Sequence, residues 1–342
     1  MSTIYRIALD AMGGDHGVGV VVPAALDAVD RYPDLKLILV GDRAVIEKAL
    51  SENHAGESER LEIRHASQSV DMGEPPALAL RNKKDSSMRV AINMLKAGEA
   101  DACVSAGNTG ALMATAKYVL KTLPGIDRPA ICTALPSVYG HTHMLDLGAN
   151  VDCTADQLYQ FAMMGSVLAS AVDNKKAPRV GLLNVGQEAI KGNDTVKEAG
   201  DMLADSPLNY IGFVEGDDIY LSDVDVVVCD GFVGNVSVKT SEGVAKMVGH
   251  VLKQVIKENL LYKALAVVTL PLLRNLRKQI DPRQYNGASL LGLQGIVVKS
   301  HGGSDRVSFG YAIRIARIEA QKNIPQLIDK QLEVLLSQKK AS

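Results

Sequence analysis

The sequence predicts an α/β fold, a mostly parallel sheet held between helices as an α/β/α sandwich. Three observations predict it. Short runs rich in Val, Leu and Ile alternate with helical patterns in βαβα order. Several of these runs end in Gly, Asn or Asp where a helix then begins. The composition is 47% hydrophobic with 30 glycines, four phenylalanines and no tryptophan, a supply of small aliphatic side chains that suits buried parallel strands.

Taken in order, Tyr5 to Leu9 reads as the first strand and Val20 to Val29 as the helix behind it. Leu35 to Val40 is a second strand closing on Gly41-Asp42, and Ala44 to Leu50 is helical. Asn53 to Arg60 is a polar surface loop. Glu74 to Ser87, with Pro75-Pro76 and then Arg81, Lys83 and Lys84, is either a mobile basic loop beside the site or a solvated connection. Ala102 to Ser105 is a strand and Thr109 to Lys121 a helix. Ile131 to Leu135 and Met144 to Leu147 flank a hairpin tip, and Ala155 to Val172 is a long helix. Strands follow at Arg179 to Asn184, Tyr210 to Val214 and Val224 to Cys229, with a helix at Asp194 to Leu203 and another running to Val251. Gly295 to Lys299 is the last strand, and two tail helices end at Lys339-Lys340. Right-handed crossovers follow from chain chirality.

A chain of 342 residues can build one large core or two closely coupled lobes, so residues 1–342 are read as a single catalytic α/β unit. A formal charge of -2 provides no basic field to recruit nucleic acid. Cys103, Cys132, Cys153 and Cys229 are too far apart for a zinc or redox motif and are read as reduced thiols of a cytoplasmic protein. The amino-terminal residues enter a strand at once, without a signal-like stretch. No segment reaches the roughly 18 apolar residues of a membrane span.

Five strand ends carry the candidate chemistry, read as converging on one sheet edge where helix N-termini favour an anion. They are Asp10 with Gly13, Gly14 and Asp15; Ser105 with Gly107, Asn108 and Thr109; Asp146 with Asn150 and Asp152; Asn184 to Gly186 with Lys191; and Asp230 with Gly234, Asn235 and Lys239. His301, after the last strand, and His16, beside the first glycine pair, are further candidates. No Gly-Lys dipeptide and no G-x-G-x-x-G accompany these loops, so neither a nucleotide nor any other cofactor is expected. The absence of a G-x-S-x-G elbow disfavours a serine hydrolase of that class. His141 and His143 stand on one face of a strand, but without a nearby third ligand they read as a hairpin tip, and no metal is expected.

At these loops the sequence resembles the bacterial acyl-ACP:phosphate acyltransferases of phospholipid synthesis. DAMGGD, SAGNTGALM, GIDRPA, LDLGANVDC, GLLNVG with KGN, CDGFVGNV followed by VKT where the family has LKT, and YNGASLLGL with VVKSHG occur in that order between about residues 5 and 318. The resemblance implies a fold similar to the isocitrate and isopropylmalate dehydrogenases and phosphotransacetylases, and a homodimer. It implies transfer of a long-chain acyl group from acyl carrier protein to inorganic phosphate. The acyl-phosphate then feeds a membrane glycerol-3-phosphate acyltransferase. The residues suit this chemistry: Gly13, Gly14 and Gly107 would cradle phosphate, Lys191 or Lys239 would neutralise it, and Asn108, Asn150 or Asn235 would stabilise an oxyanion.

Residues 250–283 carry seven basic residues against Glu258 and Asp281, a local excess of +5 around the apolar run Ala264 to Leu273. We read a helix, an apolar tip broken by Pro271, and a returning helix. The excursion suits a dimer interface, docking of an acidic carrier protein, or peripheral attachment to an anionic membrane surface. Competing readings are a CoA-dependent phosphotransacetylase for short acyl groups, a metal-dependent decarboxylating dehydrogenase and a non-catalytic membrane-recruited scaffold. The last of these needs no polar strand-end loops.

Overall fold

A computed structural model of the protein describes residues 3–272 and 281–341. Its described residues form an 11-stranded sheet in the order β3-β2-β1-β4-β11-β10-β5-β6-β9-β7-β8. The amino-terminal half consists of β1 (Tyr5–Asp10), α1 (Val18–Arg31), β2 (Leu35–Gly41), α2 (Arg43–Glu52), β3 (Leu61–His65), α3 (Pro76–Asn82), α4 (Ser87–Lys96), β4 (Ala102–Ser105) and α5 (Thr109–Leu120). The hairpin β5 (Ala130–Ser137) and β6 (Gly140–Leu145) leads to α6 (Ala155–Asp173), β7 (Val180–Leu183), α7 (Asp194–Ala204), β8 (Tyr210–Val214), α8 (Asp218–Leu221) and β9 (Val226–Val228). The remainder comprises α9 (Gly231–Glu258), α10 (Leu260–Val268), a 3-10 turn (Pro282–Tyr285), β10 (Ala288–Leu291), β11 (Ile296–Lys299), α11 (Arg306–Lys322) and α12 (Ile324–Ala341).

The sandwich is as expected. One face of β1, β2, β4 and β11 packs on α1, α2 and α11 through residues such as Leu9, Leu39, Val104, Val22 and Phe309. The other face packs on α4 and α5 through Ala8, Cys103, Val297, Ile92 and Leu112. β6, β7 and β9 are covered by α6 and α7, with Phe161 and Leu203 fully buried. The central strands are buried on both faces, which is why they read as unbroken apolar runs. α6 begins cleanly because Thr154 and Gln157 form a reciprocal capping box.

β3, β10, α3, α4, α8 and the 3-10 turn lie outside the expected elements. Leu61-Glu-Ile-Arg-His65 alternates as an edge strand should, but it is only five residues long. Glu74 to Ser87, expected as loop, holds α3, because Pro75-Pro76 starts a helix well. Ser86 then caps α4 by accepting from Arg89 N.

The larger correction concerns strand direction. Three successive antiparallel steps, β11–β10, β10–β5 and β5–β6, lie in the middle of the sheet. Every pairing outside them is parallel. An odd number of reversals makes β6, β7 and β9 run opposite to β1 and β4. The five polar strand ends therefore divide between two opposite edges instead of converging on one.

In the excursion α9 runs to Glu258, and a second helix, α10, covers the first part of the run read as an apolar tip and ends ahead of Pro271. α9 is 28 residues long, and only Gly231 and Gly234 in it are fully buried. The expected returning helix lies mainly outside the described residues. No helix among the described residues is long and apolar enough to cross a membrane.

Candidate active site

The first edge gathers the ends of β1, β4 and β11. Asp10, Ser105 and Lys299 stand side by side in register, with Ser105 in the middle. Asp10 is buried, and its carboxylate accepts from Ser87 Oγ at 2.5 Å and from Ser105 Oγ at 2.6 Å. Lys299 Nζ donates to Ala106 O at 3.2 Å and closely to Ser300 O. Burial pushes the Asp10 carboxyl up despite these hydrogen bonds. Burial likewise pushes the Lys299 ammonium down to about 8, against the pull of Asp10 and Asp15.

The glycine loops interlock over this row. A Cβ on Gly13 would come within 2.5 Å of Asp10 Oδ2 and 2.8 Å of Gly107 N, so only glycine lets the two loops meet. Gly14 lies against Ala106 and Gly302, and Asp15 N donates to Gly302 O at 2.9 Å. Gly107 N donates to Ser105 Oγ at 3.0 Å.

Asn108, Thr109, Asp15, His16 and His301 form the rim. Asn108 caps α5 by accepting from Ala111 N at 3.0 Å, and its amide donates to Met72 O and Glu74 O at 2.8 and 2.9 Å. Both ends of the Asn108 amide are thus engaged, and the side chain holds segment 71–74 over the site. Thr109, Asp15 and His16 are exposed. His301 Nδ1 accepts from Gly303 N at 3.1 Å, so the neutral ring carries its proton on Nε2 as an outward donor. Burial, then Lys239, holds the His301 imidazole below its ordinary value. Lys239, on the amino-terminal part of α9, is close enough to His301 to act on its charge. Lys239 itself is exposed and pairs with Glu242 at 3.0 Å.

The other candidates lie at the second edge. Asp146 is fully buried and accepts from the backbone N–H groups of Ile131, Leu147 and Asn150 at 2.7–2.8 Å. Asn150 Nδ2 donates to Asp146 Oδ2 and Pro129 O, both at 2.9 Å. These two residues shape the loop in which Gly234 packs on Asp146 O. Asp230 caps α9 through Val233 N at 2.9 Å. Asn235 and Asp152 are exposed, with Asn235 beside Gly148. Lys191 is exposed in the loop after β7 and pairs with Glu188 at 3.1 Å.

Sequence reasoning missed Lys299, Ser87 and Ser300. The signal for Lys299 was available: a lysine closing the buried run Ile-Val-Val-Lys must hold its charge where the chain approaches a polar site. Ser87 carried no signal, because its contact with Asp10 spans 77 residues. Burial raises the thiols of all four cysteines, the pattern of inert core residues and not of thiolate nucleophiles.

A family profile described as "Fatty acid synthesis protein" matches residues 5–327. A protein of Alkalilimnicola ehrlichii called phosphate acyltransferase is 61% identical over 341 residues, covering 100% of both chains. Another of that name from Nitrosococcus oceani is 62% identical over 333 residues, covering 97% of this chain and 98% of its own. Among solved structures, a phosphotransacetylase from Streptococcus pyogenes superposes with a TM-score of 0.63 at 17% identity over 93% of this chain and 94% of that one. The EutD phosphotransacetylase from Staphylococcus aureus gives a TM-score of 0.61 at 16% identity, with the same coverage. At such identities the likeness is one of fold.

Proposed function

The chain belongs to the family of fatty acid synthesis proteins and is an acyltransferase; from that premise we propose that it transfers a long-chain fatty acyl group from acyl-ACP, the thioester of acyl carrier protein, to inorganic phosphate. A phosphate oxygen attacks the thioester carbonyl, the C–S bond breaks, and acyl-phosphate and the carrier's thiol leave. The observation that carries this reading is the Asp10–Ser105–Lys299 row under interlocked glycine loops, a buried cation beneath a small polar cradle.

Each group then has a task. Phosphate is already partly dianionic near neutral pH and needs positioning more than activation. Lys299, with Lys239 from α9, neutralises it, and the open N–H groups of the first turn of α5 supply further donors. Asp10 fixes Ser105 and Ser87. The Nε2–H of His301 is placed at the rim to donate to the developing oxyanion. Buried, protonated thiols support direct attack without a covalent enzyme intermediate.

The exposed apolar side chains of α9 and α10 support the remaining proposals. Met247, Val248, Val251 and Leu252 suit a face covered by a second copy of the chain. Leu265 and Val268 of α10 and Leu272 beyond it, between Lys263 and Arg274 in the sequence, suit peripheral attachment to an anionic membrane, close to an enzyme that consumes the lipid product. Flotation with anionic vesicles tests attachment, and unchanged binding by a Leu270→Asp, Leu272→Asp variant would remove it.

The deciding assay incubates the protein with acyl-ACP and phosphate and follows acyl-phosphate and free thiol. Turnover of acetyl-CoA instead would favour the short-chain phosphotransacetylase. Turnover of neither would favour a scaffold.

A further inference from the structure

β6 carries His141 and His143 two positions apart, so both imidazoles project to the same face of the strand. The sequence offered no third partner, but the fold supplies one. Asp173, the last residue of α6, lies between the two rings. His141 Nε2 is 3.1 Å from Asp173 Oδ1, and His143 Nε2 is 2.9 Å from Asp173 Oδ2. The rings stand at 88° with centroids 5.0 Å apart, so each nitrogen approaches the carboxylate from its own direction. One ligand atom from each residue falls within 4.8 Å of the other two.

We propose that His141, His143 and Asp173 bind one divalent transition-metal ion of the zinc class. Two imidazoles and a carboxylate are the donor set such an ion prefers. Bonds of about 2.0–2.2 Å in tetrahedral geometry require donors spaced about 3.3–3.5 Å apart. The present N–O distances, each to a different carboxylate oxygen, need to open by a few tenths of an ångström, and the ligand atoms, all within 4.8 Å of one another, need to settle to that common spacing. Electrostatics favours a cation here for a second, independent reason. Asp173 sits at the negative end of a 19-residue helix that has no basic residue in its last turn. The nearby ammonium, Lys175, is engaged by Asp225, and Asp225 also accepts from Arg179 N. His143 and Asp173 are largely buried while His141 is 35% exposed, which leaves a path for the ion and for a water as fourth ligand. The ion would tie the hairpin to the end of α6, at the opposite end of β6 from Asp146, on the edge of the cradle but three strands from β11 in the sheet.

The test uses the full chain, freed of metal by chelator dialysis. It is titrated with Zn2+ by calorimetry and with Co2+ by visible absorption. We expect one ion per chain, a tetrahedral Co2+ spectrum, and a melting midpoint that rises with ion concentration. Asp173→Asn and His141→Gln should each weaken binding by more than about 10-fold, the loss that even outer-shell changes cause at metal sites. The control His54→Gln, at an exposed histidine elsewhere, should leave it unchanged. His141 is the least buried ligand, so its variant carries the test if Asp173→Asn does not fold. The proposal fails if no saturable binding occurs at 100-fold ion excess. It fails equally if both ligand variants bind like the parent, which would leave the cluster a metal-free hydrogen-bonded clamp.

Discussion

Asp10 and Ser105 are register partners on β1 and β4, and the Ser105 hydroxyl donates to Asp10 Oδ2 at 2.6 Å, leaving Lys299 as the next group in the row. On the proposed function Lys299 is the cation of the cradle. Lys299→Met should lower kcat/KM for phosphate by roughly 10²–10³, the usual consequence of removing one preorganised electrostatic group. Steady-state kinetics with varied phosphate checks this, and a loss under threefold would remove Lys299 from the site.

The same substitution should act on stability in the opposite direction. A buried lysine held at about 8, against about 10.5 unfolded, is penalised while both states are protonated. That penalty, about 3 kcal/mol at pH 7, is relieved only as pH rises from about 8 to 10.5. Lys299→Met should therefore melt later than the parent at pH 7, with an advantage that shrinks toward pH 10. Calorimetry at the two pH values tests the sign, and an unchanged or lower midpoint at pH 7 would refute it.

How far the sequence exposed this site depends on which contacts are local. Asp10, Gly13, Gly14, Ser105 and Gly107 were legible because each ends an apolar run or turns directly out of one. The roles of Asn108 and Asn150 were not legible: their amides are consumed by backbone groups of segment 71–74 and by Pro129, contacts that no local pattern reveals. The alternation of strands and helices gave the sandwich, but not the direction of each half. The two antiparallel steps at β10 cancel, so the reversal comes from the β5–β6 hairpin: the hairpin itself was legible, but that it turns the later strand ends to the other edge follows only from the pairing of β6 with β9.

Glu319 provides a pH test away from the site. It is buried on α11, accepts only from Ser289 Oγ among the described contacts, and burial raises it to about 7. A carboxyl raised in the folded state contributes full stability below about 4.5 and loses it as pH rises through about 7. Glu319→Gln keeps the acceptor for Ser289 and removes the charge. It should be near neutral at pH 5 and stabilising by about 2–3 kcal/mol at pH 8. Urea melts at both pH values check this, and equal effects at the two would show that Glu319 does not titrate as described.

Gly234 tests the second edge. It enters α9 directly against the loop that Asp146 organises, and a Cβ there would lie 1.9 Å from Asp146 O and 2.9 Å from Cys229 Sγ. The first of these atoms is backbone, fixed by the five donors that converge on the Asp146 carboxylate. The clash can be relieved only by moving the start of α9, which also carries Lys239 toward the first edge. Gly234→Ala should cost about 2–3 kcal/mol, the upper part of the overpacking range of about 1–3 kcal/mol, although alanine ordinarily favours a helix interior over glycine by about 1 kcal/mol. It should also raise KM for phosphate, because Lys239 is displaced with its helix. A control at Gly249, an α9 position where an added Cβ meets nothing within 4 Å, should instead be neutral or stabilising. Chemical denaturation of both variants decides the matter: equal stability would mean that the Asp146 loop yields, and that the second edge does not fix where α9 begins.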